Sequence, residues 1–355
     1  MAAQWDPTNL PIRPGMYINF NEAALAQISG GDRGIVAMPL LAYAGGTATA
    51  KQFYTVENEA DAVTLFGSAN VKSIKLALQA GAAEVLVYTM PATPADADYT
   101  AMREAFEARP FNVFVFPGGT TAAQQNTTLT WCQTNREEGK HFMVVFGGDA
   151  TTDQDPVEGN ANSARLEDDY AVNVIVGVNI SGVNYTSSQY APYIAGLIAS
   201  KQINESITYS PMPVDDVTKR LRNSEIKTAL QAGSLVLSHD GEKVKVEQGL
   251  TTSGKKIRSI RARQAIATDL AKAARDSYIG QISNNEAGQN ALIAAISSYL
   301  ETLENEDVLI LPDDEDGTPA VQLDPMREST GDAVFLLISY TEVDSMERIF
   351  IDIQL

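Results

Sequence analysis

The clearest indication of the fold class is the segment Ile74-Lys75-Leu76-Ala77-Leu78-Gln79-Ala80-Gly81-Ala82-Ala83-Glu84-Val85-Leu86-Val87-Tyr88. Ile74, Ala77 and Leu78 share one face of a predicted helix, and Gly81 is the residue expected just after its end. The continuous apolar run that follows is typical of a strand buried on both faces. A helix joined by a tight turn to such a strand is a unit of a layered α/β fold.

The same alternation of helical and apolar patterns surrounds this stretch. Further continuous apolar runs occupy residues 35–38, 113–116, 142–146 and 172–176. Between them lie helical patterns, one of them carrying Met102, Ala105 and Phe106 on a face. Another carries Ile194 and Leu197, and we expect Pro192 in its first turn. Residues 22–203 are therefore predicted to form a unit around a parallel sheet.

A different pattern begins at residue 204. One helix is bracketed by Ser224 and Gly233, and a hairpin follows around Asp240-Gly241. Two long helices come next, the second with Asn285 as its predicted N-cap. Residues 204–345 are predicted to form an α+β unit. The predicted fold class is thus α/β, with a parallel-sheet unit, a second α+β unit and extended arms at both ends.

Neither end of the chain has a core of its own. Residues 1–21 form a proline-rich arm that ends in an alternating pattern, and residues 346–355 form a second arm with strict alternation. The strand residues predicted for the two arms are Met16, Tyr17, Ile18, Phe20, Ile349, Phe350, Ile351, Ile353 and Leu355. These strands either pair within their own subunit or join sheets of neighbouring subunits.

Composition excludes several classes of protein. The 355 residues exceed what one hydrophobic core usually serves. A net charge of −19 repels phosphate backbones, so we expect no nucleic-acid partner. No apolar stretch is long enough to span a bilayer, and the N-terminus lacks a signal-peptide pattern. We therefore expect a protein of the cytoplasm that does not insert into membranes.

The sequence offers no convincing reactive centre. The glycine-rich loops at 30–34, 117–121 and 147–149 fit no phosphate-binding motif, and the acidic loop at 313–317 does not fit a calcium loop. His141 and His239 are placed in exposed turns, no G-x-S-x-G elbow is present, and Cys132 is expected to be packed. We predict no catalytic residue, no cofactor and no metal site.

One cluster of cations stands out in this acidic chain. It consists of Lys255, Lys256, Arg258, Arg261 and Arg263. One interpretation is a solvated start of a helix. The other is a contact face for an acidic partner protein.

The chain resembles contractile tail sheath proteins of myophages, phage-like bacteriocins and related contractile injection systems, with the short sheaths of Gram-positive prophage-like particles as the nearest likeness. The resemblance covers nearly the whole chain. It rests on the order and spacing of the segments 13–20, 33–39, 77–88, 193–199, 204–209, 278–280 and 346–350. Gly249-Leu250-Thr251-Thr252 departs from the family pattern, which has an Asn-Thr pair in that loop.

The resemblance implies a structural role. In such proteins an outer domain, here 22–203, is carried on an inner domain that faces the tail tube, here 204–345. Hexameric rings stack helically around the tube, and the arms add strands to sheets of neighbouring subunits. Contraction then drives the tube through a cell envelope. The five cations are candidates for the tube-facing surface.

The resemblance also implies partners and a place of assembly. The partners would be further copies of the chain, the tail tube protein, and the baseplate and tail terminator proteins. Assembly would take place in the cytoplasm of the bacterial host, as part of a virion tail or tail-like particle. One rival interpretation is an α/β enzyme, hydrolytic or nucleotide-binding, with an oligomerisation domain. Another is a tail tube or baseplate protein of the same particle; tube proteins are usually much shorter and all-β, so the α/β pattern argues against it.

Overall fold

The computed structural model describes residues 33–312 and 319–354. The predicted N-terminal arm, with Met16, Tyr17, Ile18 and Phe20, lies outside the described residues, as do the acidic loop at 313–317 and Leu355.

The described strands run from the first apolar run to a short pair near the C-terminus. They are β1 (Ile35–Leu40), β2 (Phe53–Val56), β3 (Glu84–Thr89), β4 (Val113–Val115), β5 (Met143–Gly147), β6 (Ala171–Ile175), β7 (Val178–Ile180), β8 (Val183–Tyr185), β9 (Pro211–Met212), β10 (Asp216–Val217), β11 (Leu235–His239), β12 (Val244–Val246), β13 (Leu309–Ile310), β14 (Val321–Leu323), β15 (Leu336–Ile338) and β16 (Thr341–Glu342).

The described α-helices lie mostly between the strands of the first half and dominate the second half. They are α1 (Glu59–Phe66), α2 (Lys72–Gln79), α3 (Asp96–Glu107), α4 (Ala122–Glu137), α5 (Pro156–Arg165), α6 (Ser187–Ser200), α7 (Asn223–Gln231), α8 (Ile257–Ala273) and α9 (Glu286–Asn305). A short 3₁₀ helix covers Thr152–Gln154, and α8 continues into a π-helical turn at Ala274–Tyr278.

A nine-stranded sheet organises the first part of the molecule, in the order β2-β3-β1-β4-β5-β6-β11-β12-β9. The six strands from β3 to β11 run parallel, whereas β2, β12 and β9 pair antiparallel at the two sides. Each of the five predicted apolar runs forms a buried strand of the parallel part. The α/β fold class is confirmed, and its cause is the burial of these strands on both faces.

Two glycines allow α2 and α6 to pack closely on this sheet. Gly81 follows the end of α2 with a φ of 101°, as predicted for a C′ glycine, and a Cβ there would lie 2.9 Å from the Cβ of Ser200. At Gly196 in α6, a Cβ would lie 2.3 Å from the carbonyl oxygen of Ala77. The backbones of the two helices therefore meet where no side chain fits.

The start of α6 differs from the prediction. Pro192 lies in the interior of the helix rather than in its first turn. The helix begins earlier because Thr186 and Gln189 form a capping box, in which the Thr186 hydroxyl accepts from the Gln189 amide at 3.2 Å. The start of α7 also shifts, since Arg222 rather than Ser224 precedes it. Asn285 is the N-cap of α9, as predicted, and accepts from the Gly288 amide at 2.9 Å.

A second hydrophobic cluster lies between α8, α9 and the short strands of the C-terminal part. Its buried members are Ile203, Ala262, Ala265, Ile266, Ile296, Tyr299, Leu300, Leu303, Val308, Leu309 and Val321. The first cluster continues to Ile260, so the two clusters meet within α8. The predicted hairpin of β11 and β12 forms, but it extends the first sheet, because Leu235 and Val236 pair in parallel with β6. This corrects the placement of the hairpin in the second unit; the division of the chain at residue 203 stays a prediction.

Candidate inter-subunit segment

The C-terminal segment leaves the second hydrophobic cluster along β16. Thr341 and Glu342 pair antiparallel with β13, and the Val343 amide donates to the Val308 carbonyl at 3.1 Å. The guanidinium of Arg263 in α8 contacts the Glu342 carboxylate and so fixes β16 to that helix. Up to residue 343, the chain is therefore held by its own subunit.

Glu347 is the last residue of the segment that is anchored. Its carboxylate accepts hydrogen bonds from Thr208 Oγ1 and from Gln248 Nε2, both at 2.7 Å, and contacts the ammonium group of Lys256. Only 9% of its side chain is exposed. A buried carboxylate needs such partners, since an unpaired one would lose its hydration without compensation. Glu347 thus binds the segment to the loops that precede β9 and follow β12.

Residues 348–354 carry apolar side chains that nothing within the described chain covers. Ile349, Phe350, Ile351 and Ile353 are 69%, 90%, 76% and 79% exposed. Within residues 33–312 and 319–354, no hydrogen bond joins 348–354 to the rest of the chain, and the segment has no regular secondary structure. Full burial of such a side chain contributes about 1.5–3 kcal/mol. The segment therefore has both apolar side chains and backbone groups available for another surface.

The three cations at the edges of the predicted cluster pair with acids of the same chain. Lys255 lies 2.7 Å from Asp169, and Lys256 and Arg263 contact Glu347 and Glu342. The neighbouring carboxylate of Glu342 raises the pKa of Arg263. Side-chain exposure is highest for Lys255 and Arg263, at 48% and 43%.

The other two members, Arg258 and Arg261, are buried inside the subunit. Arg258 Nη2 donates to the Asp307 carbonyl at 2.8 Å, just after α9. Arg261 donates to the carbonyls of Lys201 and Gln202 at the end of α6, and its burial lowers its pKa to about 10. Cations at helix C-termini donate hydrogen bonds to backbone carbonyls that have no partner within the helix. These two arginines thus hold α6 and α9 against α8.

A buried charge network also connects the start of β1 with both long helices. Asp269 in α8 accepts from Arg33 at 2.6 Å and from the hydroxyl of Tyr299 in α9 at 2.7 Å. Burial, together with the hydrogen bond to Asp269, raises the pKa of Tyr299. In the sequence, Asp269 is the first acid after the cation cluster, and nothing else about the pattern indicates a role for it. The contacts show that it joins three elements.

The cysteine and the first histidine that were considered for chemistry contact other groups of the same chain. Cys132 is buried, donates to the Phe142 carbonyl and has a raised pKa because of its burial. His141 is half-buried rather than exposed, lies 3.1 Å from the Tyr170 hydroxyl, and has a pKa lowered by burial and by Arg136. In the part of the chain that the structure describes, no group of three or more His, Cys, Asp or Glu residues could hold a metal ion. No helix there is long and apolar enough to cross a membrane.

Sequence reasoning did not identify Glu347 as an anchor. A signal was present, because the acids Glu342, Asp344 and Glu347 cluster before the apolar terminal run, while the cations cluster at the start of α8. Opposite charge in two distant segments indicates a pairing only when something brings the segments together, and that information lies in the tertiary structure.

Comparison with known proteins gives consistent matches. A family model described as the phage tail sheath protein central domain matches residues 92–252, and one for the phage tail sheath C-terminal domain matches residues 251–355. The tail sheath protein of Clostridium phage phiCD119 is 24% identical over 95% of this chain and 98% of its own length.

Solved structures share the fold. The sheath tail protein of Desulfitobacterium hafniense superposes with a TM-score of 0.75 at 21% identity, covering 95% of this chain and 99% of its own. The PVC sheath complex of an extracellular contractile injection system, in its contracted state, gives a TM-score of 0.75 at 14% identity, with 98% of each chain covered.

Proposed function

Because the chain belongs to the phage tail sheath protein family, we propose that its C-terminal segment joins a sheet of a neighbouring copy and so links the subunits of a contracting sleeve. The protein is a structural subunit of a contractile tail sheath and not an enzyme, which removes the rival of an α/β enzyme. In the proposed assembly, hexameric rings stack helically around a tail tube. Their contraction drives the tube through a cell envelope.

The exposed segment 348–354 is the observation that supports strand exchange. It combines alternating apolar side chains, no hydrogen bond to the described part of its own chain, and an anchor immediately before it at Glu347. Strand addition satisfies the backbone groups of the segment and covers its apolar side chains at the same time. Met16, Tyr17, Ile18 and Phe20 are proposed as the corresponding strand of the N-terminal arm.

Backbone pairing suits a lattice that must change shape while staying connected. Side-chain interfaces between subunits must break and re-form during contraction. Main-chain hydrogen bonds depend little on side-chain identity, so a strand joined to a neighbour persists through that change. Glu347 would mark the point at which the connection leaves the rigid body of the subunit.

The energy for contraction would come from subunit contacts. The extended sleeve would be a metastable state set by assembly on the tube, and the contracted sleeve would bury more interface for each subunit. Summed over many subunits, a modest gain for each becomes a large driving force. Such a mechanism needs no nucleotide, cofactor or metal.

The partners in this proposal are further copies of the chain, the tail tube protein, the baseplate and the tail terminator, with no role for nucleic acid. The protein is part of a phage tail or tail-like particle. We propose that it assembles in the cytoplasm of the bacterial host. Of the five predicted tube-facing residues, Lys255, Lys256 and Arg263 stay candidates. Arg258 and Arg261 are buried and donate to backbone carbonyls of their own chain, so they are no longer proposed for that surface.

Deletion of the terminal arm tests the proposal. A chain lacking residues 346–355 should fold, since both hydrophobic clusters lie outside the deleted part, but should remain unpolymerised in electron micrographs and in sedimentation. A deletion of 349–355 keeps Glu347 and should give the same result. Sleeves of normal length from either shortened chain would refute strand exchange.

A matched pair of full-length variants separates loss of pairing from loss of length. Ile349→Asp with Ile351→Asp places charges on the face that alternation assigns to the neighbour, and should prevent polymerisation. Asp352→Asn with Gln354→Glu alters the opposite face and should leave sleeves intact. If both variants polymerise equally well, the apolar face does not make the contact.

A further inference from the structure

The order of strands in the large sheet reverses between β1 and β4. The chain runs from β1 outward to β2 and β3, returns through α3 to form β4 on the other side of β1, and continues in the opposite direction to β5 and β6. β1 and β4 are parallel, so their carboxyl ends open to the same side. In open α/β sheets, ligands bind in the crevice outside the carboxyl ends of strands at such a reversal.

A cavity of about 300 Å³ lies in this crevice. The residues after β1 and the loop 116–120 after β4 form two of its sides, and Tyr99 and Tyr185 complete the wall. The rings of Tyr99 and Phe116 are in edge contact, with centroids 6.3 Å apart and an interplanar angle of 64°. A mostly apolar wall of this size with a few polar groups is typical of a site for a small molecule.

Two helices begin at the cavity and carry groups that favour an anion. Lys72 and Ser73, the first residues of α2, line the cavity, and α4 starts directly after the loop. No side chain caps the N-terminus of α2, and its first turn contains no acid. Free amide groups and the helix dipole attract negative charge at such an end.

Ser73 supplies an independent observation. Only 8% of the residue is exposed, it lines the cavity, and its hydroxyl has no hydrogen-bond partner among the described residues. This hydroxyl is not among the fully enclosed polar atoms that lack a partner, so it is open to the cavity and can take a hydrogen-bond partner there. A ligand in the cavity would supply one.

Lys72 is a second polar group without an acidic partner. Its ammonium lies 3.8 Å from the centroid of the Tyr185 ring, and no carboxylate within the described residues lies at ion-pair distance. No acidic side chain is among the described residues that line the cavity. In a chain with a net charge of −19, an unpaired lysine at the mouth of an apolar cavity is suited to an anionic guest.

The glycines of the loop after β4 have no role within the subunit that requires them. Neither Gly118 nor Gly119 has a positive φ. A Cβ at Gly118 would meet nothing within 4 Å, and one at Gly119 would meet only Ser188 Oγ at 3.8 Å. Glycine also allows a ligand to approach the backbone closely, and this is the remaining reason for glycine at positions 118 and 119.

We propose that this cavity binds a small organic anion in which an aromatic ring carries one phosphate or carboxylate group. The ring packs against Tyr99 and Phe116. The anionic group is bound by Lys72, by the hydroxyl of Ser73 and by amides of the loop after β4. The proposed ligand binding does not depend on strand exchange by the C-terminal segment.

Phenyl phosphate, benzoate and inorganic phosphate are the probes, measured by saturation-transfer NMR and titration calorimetry with the full-length chain. Binding of phenyl phosphate or benzoate is expected, and the tighter of the two identifies the anionic group. Binding of inorganic phosphate alone, or of none of the probes, would overturn the proposal.

Variants locate the binding. Lys72→Glu should raise the Kd of the probe by roughly tenfold or more, because it removes a charge-assisted contact and adds repulsion. Lys75→Glu is the matched control, since Lys75 lies on the same helix but outside the cavity and pairs with Glu59. Lys72 is exposed, so the variant should fold, and circular dichroism checks this. Equal binding by both variants would place the probe elsewhere and refute the site.

Discussion

The ammonium group of Lys256 contacts the carboxylate of Glu347, 91 residues further along the chain. Lys256 precedes α8, and Glu347 precedes the exposed terminal run, so this pair joins the rigid body of the subunit to the segment proposed to leave it. Thr208 and Gln248 bind the same carboxylate.

The anchor should show energetic coupling. Glu347→Gln and Lys256→Met should each lower the free energy of unfolding by about 1–3 kcal/mol, because each leaves a partly buried polar group without its charged partner. The double variant should lose less than the sum, with a coupling of roughly 0.5–3 kcal/mol. Guanidinium unfolding of the unpolymerised chain measures all four proteins. Strictly additive losses would show that the pair contributes nothing beyond its separate contacts.

The tube-facing proposal is best tested at the two most exposed cations. Lys255→Gln with Arg263→Gln should reduce assembly of extended sheath on purified tubes, because both side chains keep nearly half of their surface free. Arg258 and Arg261 are unsuitable, since each binds backbone carbonyls inside the subunit. Lys227→Gln with Lys243→Gln removes the same charge elsewhere on the surface. Assembly that falls equally in both variants would indicate net charge rather than a specific face.

Gly196 should tolerate no side chain. Gly196→Ala places a Cβ 2.3 Å from the Ala77 carbonyl oxygen, so α6 must move away from α2, at a cost of about 1–3 kcal/mol. Gly118→Ala is the control, because its Cβ would meet nothing within 4 Å. Unfolding midpoints in urea compare the two. Equal midpoints would mean that the helices adjust without cost.

Asp153 should make stability depend on pH. Burial raises the pKa of this carboxyl to about 6, although the Ser187 amide donates to it at 2.7 Å; Asp149 contributes in the same direction as burial. A raised pKa of an acid means that the folded state favours the proton. The stabilising contribution is therefore complete below the unfolded value of 3.8 and is lost as the pH rises through about 6.

Asp153→Asn removes this titration. Relative to the variant, the wild-type chain should lose roughly 3 kcal/mol between about pH 4 and about pH 8. Urea unfolding across that range measures the difference. Parallel profiles for the two proteins would show that Asp153 has the same proton affinity folded and unfolded.

Local patterns predicted the parts of the fold that depend on local physics. The five buried strands follow from continuous apolar runs, the end of α2 from Gly81, and the start of α9 from Asn285. The position of Pro192 was wrong because the capping box at Thr186 fixes the helix start more strongly than proline does. The hairpin of β11 and β12 was assigned to the other unit because its apolar pattern does not say which sheet it joins.

The α/β fold, the clustering of cations at the start of α8 and the alternation of the final residues follow from the amino-acid sequence alone, because periodicity and composition act over a few neighbouring positions. Three features depend on tertiary packing: the pairing of those cations inside the subunit, the anchoring of Glu347, and the cavity at the strand ends of β1 and β4. Pairing across 91 residues depends on how whole elements pack, since charge complementarity alone does not choose among the acids of a strongly acidic chain.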